Sequence, residues 1–234
     1  MRQLMPRDIY WIGKRLPDCL WNLLNKYRSS VFVAGGFIRS CIASEPVNDI
    51  DVFTINKDRA RQCANDILRA VNGKLITTEN AFTVVRDGPA IQFIHRWFFE
   101  KPEDCVASFD FTIASAAIWV GHSDGQRHSH FDSICDDDFY PDLAAKRLVY
   151  RSPVRNEDAG GSMLRMLKFY QRGYRAPLES IGAVMARMAA AVDAGRLQGL
   201  QTKENLSPEQ AISKVFTGML REVDPQIDPG HFAH

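Results

Sequence analysis

The stretch VFVAGGFIRSCIASEPVNDIDVFT, residues 31–54, places a short apolar run before two glycines and ends in two aspartates one residue apart. The apolar run predicts a strand that ends at Gly35 and Gly36, and residues 37–43 predict a helix. The following DIDVFT alternates polar and apolar positions, as a half-buried strand does. The order strand, glycine pair, helix, strand restricts this part of the chain to a fold that mixes α and β elements.

Asp49 and Asp51 project from the same face of the second strand, because residues two apart in a strand point the same way, while Ile50 and Val52 face the core. Two carboxylates this close repel each other, and a divalent cation is the simplest means of relieving the repulsion. Mg²⁺ suits the pair, since it commonly takes one or two carboxylates and completes its shell with water and phosphate oxygens. We therefore expect a magnesium site at the two aspartates and a substrate that carries phosphate.

The glycine pair lies where a strand passes into a helix, so backbone N–H groups can approach phosphate oxygens without a Cβ in the way. Arg39, on the following helix, adds a fork of donors. Each motif alone also has a structural explanation: a tight turn for the glycines, and a strand cap and a solvated carboxylate for the aspartates. Their occurrence together and in this order favours a phosphate site.

Further along the chain, Asp87-Gly88-Pro89 separates two apolar runs and predicts a β-hairpin. A polar run over residues 121–139 is typical of a loop between strands. From residue 156 onward the pattern is helical, with helix candidates at 162–175, 178–197 and 207–223. The change in pattern near residue 152 predicts a mixed head domain over residues 1–152 and a helical domain over 153–234.

The composition of the chain limits its partners. A formal net charge of +1 with 45% hydrophobic residues indicates neither disorder nor a polybasic coat, so any contact with nucleic acid must be local. Five scattered cysteines without CxxC spacing favour reduced thiols in a cytoplasmic protein. No apolar segment has the length needed to cross a bilayer, so we expect no membrane partner. The oligomeric state stays open, a homo-oligomer included.

A basic stripe is predicted along one side of the first C-terminal helix. It could bind a triphosphate or an RNA backbone, or be a solvated face. Its members are Arg165, Lys168, Arg172 and Arg175. The polar loop offers an alternative metal cluster, whose spacing fits no standard zinc site. Its members are His122, His128, His130 and Cys135.

Residues 33–54 resemble the head of the class II tRNA nucleotidyltransferase and bacterial poly(A) polymerase family, within the polymerase-β-like nucleotidyltransferase superfamily. In that family a strand leads into GGxVRD and a DxD motif follows. The resemblance continues through FDFTIASAA (109–117), which is similar to RRDFTINAxA, and through DLAAKRLVY (142–150) and NEDAGGSMLRMLKFYQRGY (156–174). It therefore extends from residue 31 to residue 175, and its first block is the most specific.

The resemblance implies an α+β fold: a polymerase-β-like head, built on a mixed β-sheet with flanking helices, followed by a helical neck-like region. It implies an enzyme that uses two Mg²⁺ ions to move a nucleoside monophosphate from an NTP to an acceptor hydroxyl, releasing pyrophosphate. The implied acceptor is an RNA 3′ end, such as that of tRNA.

Catalytic and nucleotide-binding residues are implied by the same resemblance. Asp110 is implied as a ribose contact if FDFT begins a helix, and it would be a third metal ligand beside Asp49 and Asp51 if FDFT lay on the neighbouring strand. A helix N-cap is the structural alternative for this aspartate. The implied NTP-binding residues are Gly35, Gly36, Arg39, Arg96, Asp110, Glu157, Asp158, Arg165 and Lys168.

The chain also departs from the family pattern. Ser40 stands where the family has an aspartate after the arginine, and Ser108-Phe109 replaces two arginines before Asp110. Gly161 or Ser162 replaces an arginine of the family's template for choosing C and A. CCA addition is therefore not implied. Two further hypotheses stay open: a compact enzyme that nucleotidylates a protein or a small molecule, and a noncatalytic relative that binds nucleotide or RNA.

Overall fold

A computed structural model describes residues 1–121, 131–151 and 159–223 of the chain. The helices within these ranges are α1 (Pro6–Arg15), α2 (Asp18–Tyr27), α3 (Gly36–Ile42), α4 (Lys57–Ala70), α5 (Pro102–Ser108), α6 (Phe139–Ala144), α7 (Ala159–Gln171), α8 (Leu178–Ala190), α9 (Ala194–Glu204) and α10 (Pro208–Val223). The strands are β1 (Val31–Ala34), β2 (Asp49–Thr54), β3 (Gly73–Thr77), β4 (Ala81–Arg86), β5 (Ala90–Ile94), β6 (Ala116–Val120) and β7 (Phe131–Cys135).

The strands named above form one sheet in the order β3-β4-β5-β2-β1-β6-β7. β2 and β5 pair in parallel, whereas the other neighbouring strands pair antiparallel. A mixed sheet with flanking helices confirms the predicted α+β fold class.

The central strands β1 and β2 bury side chains on both faces. Val33, Ile50 and Val52 are fully buried, and helices α2, α3 and α4 pack against these strands. The opposite face carries an aromatic cluster in which α5 contributes Cys105 and Val106. Its strand members are Phe32, Ala34, Phe53 and Ala117. Because side chains alternate along a strand, Asp51 lies on the same face as Phe53.

Local chemistry explains how two of these elements begin and turn. The Asn56 side chain caps α4 by accepting a hydrogen bond from the Arg59 N–H at 2.8 Å. The predicted hairpin is confirmed, since β4 and β5 pair antiparallel across a turn in which Gly88 has φ +91°.

The polar run predicted as a loop contains a strand. Phe131–Cys135 forms β7, which pairs with β6 through Val120 and Phe131. Phe131, Ser133 and Cys135 are buried, so the alternation within FDSIC outweighs the polar composition of its surroundings. Residues 122–130, which include three members of the alternative zinc cluster (His122, His128 and His130), lie outside the described residues.

The chain divides into two compact units, Met1–Ala145 and Lys146–His234. The domain boundary predicted after residue 152 falls outside the described residues. In the second unit, the helix predicted over 178–197 is in fact two helices, because the chain breaks after Ala190 and the Asp193 side chain caps α9. The predicted helix at 207–223 is present as α10, and Ser207 and Gln210 cap its start reciprocally.

A tyrosine pair and a short backbone bridge organise the start of the second unit. Tyr174 is fully buried and packs edge-on against Phe169 at 5.3 Å between ring centroids. The Arg175 N–H donates to the Lys146 carbonyl, and the Leu148 N–H donates to the Arg175 carbonyl, each at 2.9 Å. Across the described ranges, every helix is too short or too polar to span a lipid bilayer.

Candidate active site

The two aspartates open strand β2 at the edge of the aromatic cluster. Asp49 is exposed and Asp51 is half-buried, whereas Ile50 and Val52 are fully buried. The carboxylates therefore share one face of the strand. In the parallel partner β5, Gln92 lies beside Asp51 and Ala90 beside Asp49. The result is a polar pair set into a sheet face that becomes apolar at Phe53.

The electrostatics of this pair are unfavourable for two negative charges. Burial, followed by the charge of Asp49, raises the pKa of Asp51 to about 7 from an ordinary value of 3.8. A cation between the carboxylates would remove both causes. Among the described residues, no group of three acidic, histidine or cysteine side chains lies close enough to hold a metal, so the protein offers a two-carboxylate site.

Without metal, Asp51→Asn is expected to stabilise the protein at neutral and alkaline pH. A folded-state pKa above the unfolded value means that stability is complete below about pH 4 and is lost as pH rises through about 7. The gain of the variant should therefore grow from pH 5 to pH 8, reaching at least about 4 °C in melting temperature in the presence of a chelator.

The matched control for this melting experiment is Glu79→Gln, which neutralises an exposed acid in the loop before β4. Its melting temperature should follow the wild type at every pH. Adding magnesium at pH 8 should then raise the melting temperature of the wild type and leave Asp51→Asn unchanged. An Asp51→Asn protein that melts below the wild type at pH 8 would contradict the electrostatic interpretation of the pair.

The glycine pair lies beside the aspartates, because β1 runs antiparallel to β2 with Val33 opposite Val52. The end of β1 thus meets the beginning of β2. Gly35 has φ +83° and donates its N–H to the Ala116 carbonyl at 2.9 Å, which fixes the turn to β6. Gly36 is the first residue of α3, where backbone N–H groups have no carbonyl partner within the helix.

Arg39 lies behind this turn. It is buried, its Nε is 3.4 Å from Glu45 Oε2, and its Nη2 donates to Ser40 Oγ at 2.9 Å. A Cβ on Gly36 would lie 3.8 Å from Arg39 Nη1. The predicted nucleotide-binding guanidinium is therefore adjacent to the glycine turn, with its charge balanced by Glu45.

Asp110 lies between α5 and a single 3-10 turn at Thr112–Ala114, and it is buried. It is not on a strand, so the condition set for a third metal ligand is not met. FDFT instead precedes a helical turn, the arrangement for which a ribose contact is predicted. The preceding Phe109 ring packs against Gly35, and a Cβ there would lie 3.3 Å from two ring carbons.

Arg96 lies beyond the end of β5 rather than at the last position of a strand. Its Nη1 is 3.4 Å from Asn80 Oδ1, and its guanidinium stacks over Trp97 at 5.1 Å. The arginine is exposed, and its role in nucleotide binding remains a prediction.

The predicted basic stripe is shorter than its spacing suggests. Arg165 and Lys168 lie on α7 and are exposed, but α7 ends at Gln171, so Arg172 and Arg175 are not on the helix. Gly173, with φ +86°, turns the chain. Glu157 and Asp158 lie outside the described residues. Gly161 and Ser162, at the position of the family's template arginine, are buried.

Two residues near the site escaped sequence reasoning. Glu45 reads in the sequence as part of a helix-ending Glu-Pro pair, and a left-handed Ser44, with φ +55°, returns it to Arg39. Phe109 shapes the floor of the glycine turn although it stands where an arginine was expected. The only advance signal was the serine at position 40, which leaves Arg39 without an adjacent acid.

Comparison with models of known protein families matches residues 11–146 to the Gabija anti-defense 2 family. The chain belongs to this family. A curated relative, Gabija anti-defense 2 of Bacillus phage SPbetaL7, is 25% identical over 112 residues, which cover 46% of this chain and 26% of the relative. The Gabija anti-defense 2 family, rather than the tRNA nucleotidyltransferase family, is thus the family of the chain.

Solved structures with a similar fold are CCA-adding enzymes. The Thermotoga maritima enzyme complexed with tRNA has a TM-score of 0.54 at 18% identity, covering 97% of this chain and 57% of that one. A CCA-adding enzyme complexed with ATP has a TM-score of 0.60 at 20% identity, covering 97% and 56%. These likenesses confirm the nucleotidyltransferase fold, and the chain spans little more than half of those enzymes.

Proposed function

We propose that the protein is a magnesium-dependent nucleotidyltransferase that moves a nucleoside monophosphate from an NTP to an acceptor hydroxyl. The observation that carries this proposal is the placement of Asp49 and Asp51 on one face of β2, directly beside the Gly35–Gly36 turn. The fold of the CCA-adding enzymes supports it, because two of their structures are complexes with ATP and CTP.

Magnesium fits the donor set. Carboxylate oxygens are hard ligands, and Mg²⁺ needs only one or two of them when substrate phosphates and water complete its shell. Asp51 is recessed and Asp49 is exposed, so the pair can hold metal on the protein side and leave the solvent side for a triphosphate. Two bound Mg²⁺ ions would lower the pKa of the acceptor hydroxyl and stabilise the charge that develops on the phosphate oxygens.

The residues of the chain would orient the NTP rather than react with it. The acceptor oxygen forms a bond to the α-phosphorus, the bond from that phosphorus to the β-phosphate breaks, and pyrophosphate leaves. The N–H groups that open α3, beginning at Gly36, can receive phosphate oxygens. Arg39 stabilises the turn from behind and adds positive potential close to it.

An RNA 3′ end is the first candidate acceptor. The Thermotoga maritima relative in fold is complexed with tRNA. In this chain, Arg165 and Lys168 add two exposed basic groups on one side of α7, and basic groups of this kind bind phosphate backbones.

A protein or small-molecule acceptor is the second candidate. The burial of Gly161 and Ser162 leaves no long basic side chain at the position that selects C and A in the resembled family. The family is named for anti-defense against Gabija, and modification of a defence component would serve such a role.

The acceptor is tested by incubating the protein with each α-labelled NTP, Mg²⁺, bacterial total RNA and bacterial cell protein, then separating RNA from protein on a denaturing gel. Label on RNA supports the first candidate, and label on protein or on a small molecule supports the second. The control is Asp49→Ala/Asp51→Ala, in which all label should disappear. Label that persists in this variant would show that the transfer does not depend on the proposed site.

A further inference from the structure

Helix α1 exposes two aromatic rings among basic side chains. The exposed residues occur at helical spacing and share one side of the helix. They are Arg7, Tyr10, Trp11, Lys14 and Arg15, called here the α1 face. Trp11 is 55% exposed and Tyr10 is 40% exposed, which is unusual for large rings on an otherwise well-packed unit.

The other side of α1 is buried in the first unit. Ile12 and Gly13 are buried, and α1 packs against α3 and β7. Asp8, the single acid of the helix, is also buried and accepts a hydrogen bond from Tyr140 Oη at 2.7 Å. The helix therefore has its packing satisfied on one side and presents cations and rings, with no carboxylate of its own, on the other.

The rings and cations of the α1 face are close to one another. The Tyr10 and Trp11 ring centroids are 5.9 Å apart, and Lys14 Nζ is 4.7 Å from the first and 5.8 Å from the second. Aromatic side chains stack on unpaired bases, while neighbouring cations neutralise the phosphates between those bases. This chemistry fits a single-stranded nucleic acid, because a duplex hides the faces of its bases.

The α1 face is connected to the candidate site through Arg15. Its Nη1 donates to the Ser40 carbonyl at 3.2 Å, and its Nη2 donates to the Glu45 carbonyl at 3.3 Å. Glu45 lies in the segment that runs from the end of α3 to Asp49, and Pro46 and Asn48 of this segment are exposed. Exposed surface thus continues from α1 to the beginning of β2.

We propose that the α1 face binds single-stranded RNA and leads it along residues 44–48 toward Asp49. The direction toward Asp49 rests on the proposed function, whereas the binding itself does not. The face holds the strand upstream of its reacting end, and stacking on Trp11 and Tyr10 provides affinity without dependence on sequence.

The test is fluorescence anisotropy with a labelled 12-nucleotide oligoadenylate, without NTP and with a chelator present. Trp11→Ala/Lys14→Ala should weaken binding about 10- to 100-fold, since one stacked base contributes roughly 1–3 kcal/mol. Trp11→Phe keeps a stacking ring and should stay within about threefold of the wild type. Arg7→Ala/Lys14→Ala should make the dependence of log Kd on log salt shallower by about 1.

Lys57→Ala/Lys74→Ala is the matched control, because both lysines are exposed cations of the same unit outside α1. It should bind RNA like the wild type. Absence of RNA binding by the wild type, or equal losses in the control and in Trp11→Ala/Lys14→Ala, would overturn the proposal. So would binding to phosphatidylglycerol vesicles that is lost in the Trp11→Ala/Lys14→Ala variant while RNA binding persists. RNA binding through α1 without any nucleotidyl transfer would refute the proposed function alone.

Discussion

Asp51→Ala is expected to lower the rate of nucleotidyl transfer by roughly a thousandfold or more. Metal-ion catalysis contributes several kcal/mol to transition-state stabilisation, and each 1.36 kcal/mol corresponds to a factor of ten in rate. Asp51 is the recessed member of the pair and lies beside Gln92 of β5, so no other described acid can take its place. The measurement is incorporation of α-labelled NTP into the acceptor under saturating Mg²⁺.

The control for this loss is Glu79→Ala, which removes an exposed acid far along the chain from β2. Its rate should equal that of the wild type. Folding of Asp51→Ala is checked by melting in chelator at pH 8, where the variant should be at least as stable as the wild type because a disfavoured charge has been removed. A folded Asp51→Ala protein that keeps a tenth or more of the wild-type rate would rule out a catalytic metal at this residue.

Gly35→Ala is expected to destabilise the first unit by about 2–3 kcal/mol, or roughly 5–10 °C in melting temperature. The backbone at Gly35 has φ +83° and ψ −135°, a region that residues with a Cβ rarely adopt. The added Cβ would also lie 3.3 Å from the Phe109 ring. Strain and crowding therefore act together. Thermal melting of the purified variant measures the effect.

Gly36→Ala is the matched control for the adjacent position. It has no positive φ, and its Cβ would find only Arg39 Nη1 and Nη2, at 3.8 and 3.9 Å. Its stability should stay within about 0.5 kcal/mol of the wild type. If the two variants were equally destabilised, the left-handed conformation at Gly35 would not be the reason for the first glycine.

The sequence predicts the centre of the sheet because strong local signals coincide there. A buried strand, a glycine pair and an alternating strand each leave a recognisable pattern between residues 31 and 54. Edge strand β3 leaves no such pattern, since Gly73–Thr77 is exposed at all but one position. Helix α1 is short, begins without a side-chain cap and contains Gly13, so its periodicity is weak.

Long-range pairing was less accessible to sequence reasoning. The parallel pairing of β2 with β5 joins strands separated by a helix and two further strands, and periodicity does not specify partners. The same holds within the candidate site. The alternation in DIDVFT places both carboxylates on one face, but the pairing of Arg39 with Glu45 depends on the left-handed turn at Ser44. The position of Asp110 depends on where α5 ends.

The most direct test of nucleotidyl transfer is the identity of the leaving group. The protein is incubated with γ-labelled NTP, Mg²⁺, bacterial RNA and cell protein, and the released products are separated by thin-layer chromatography, with Asp49→Ala/Asp51→Ala in parallel. Attack at the α-phosphorus predicts labelled pyrophosphate from the wild type and none above background from the variant. Release of orthophosphate alone, or equal release by both proteins, would contradict nucleotidyl transfer at Asp49 and Asp51.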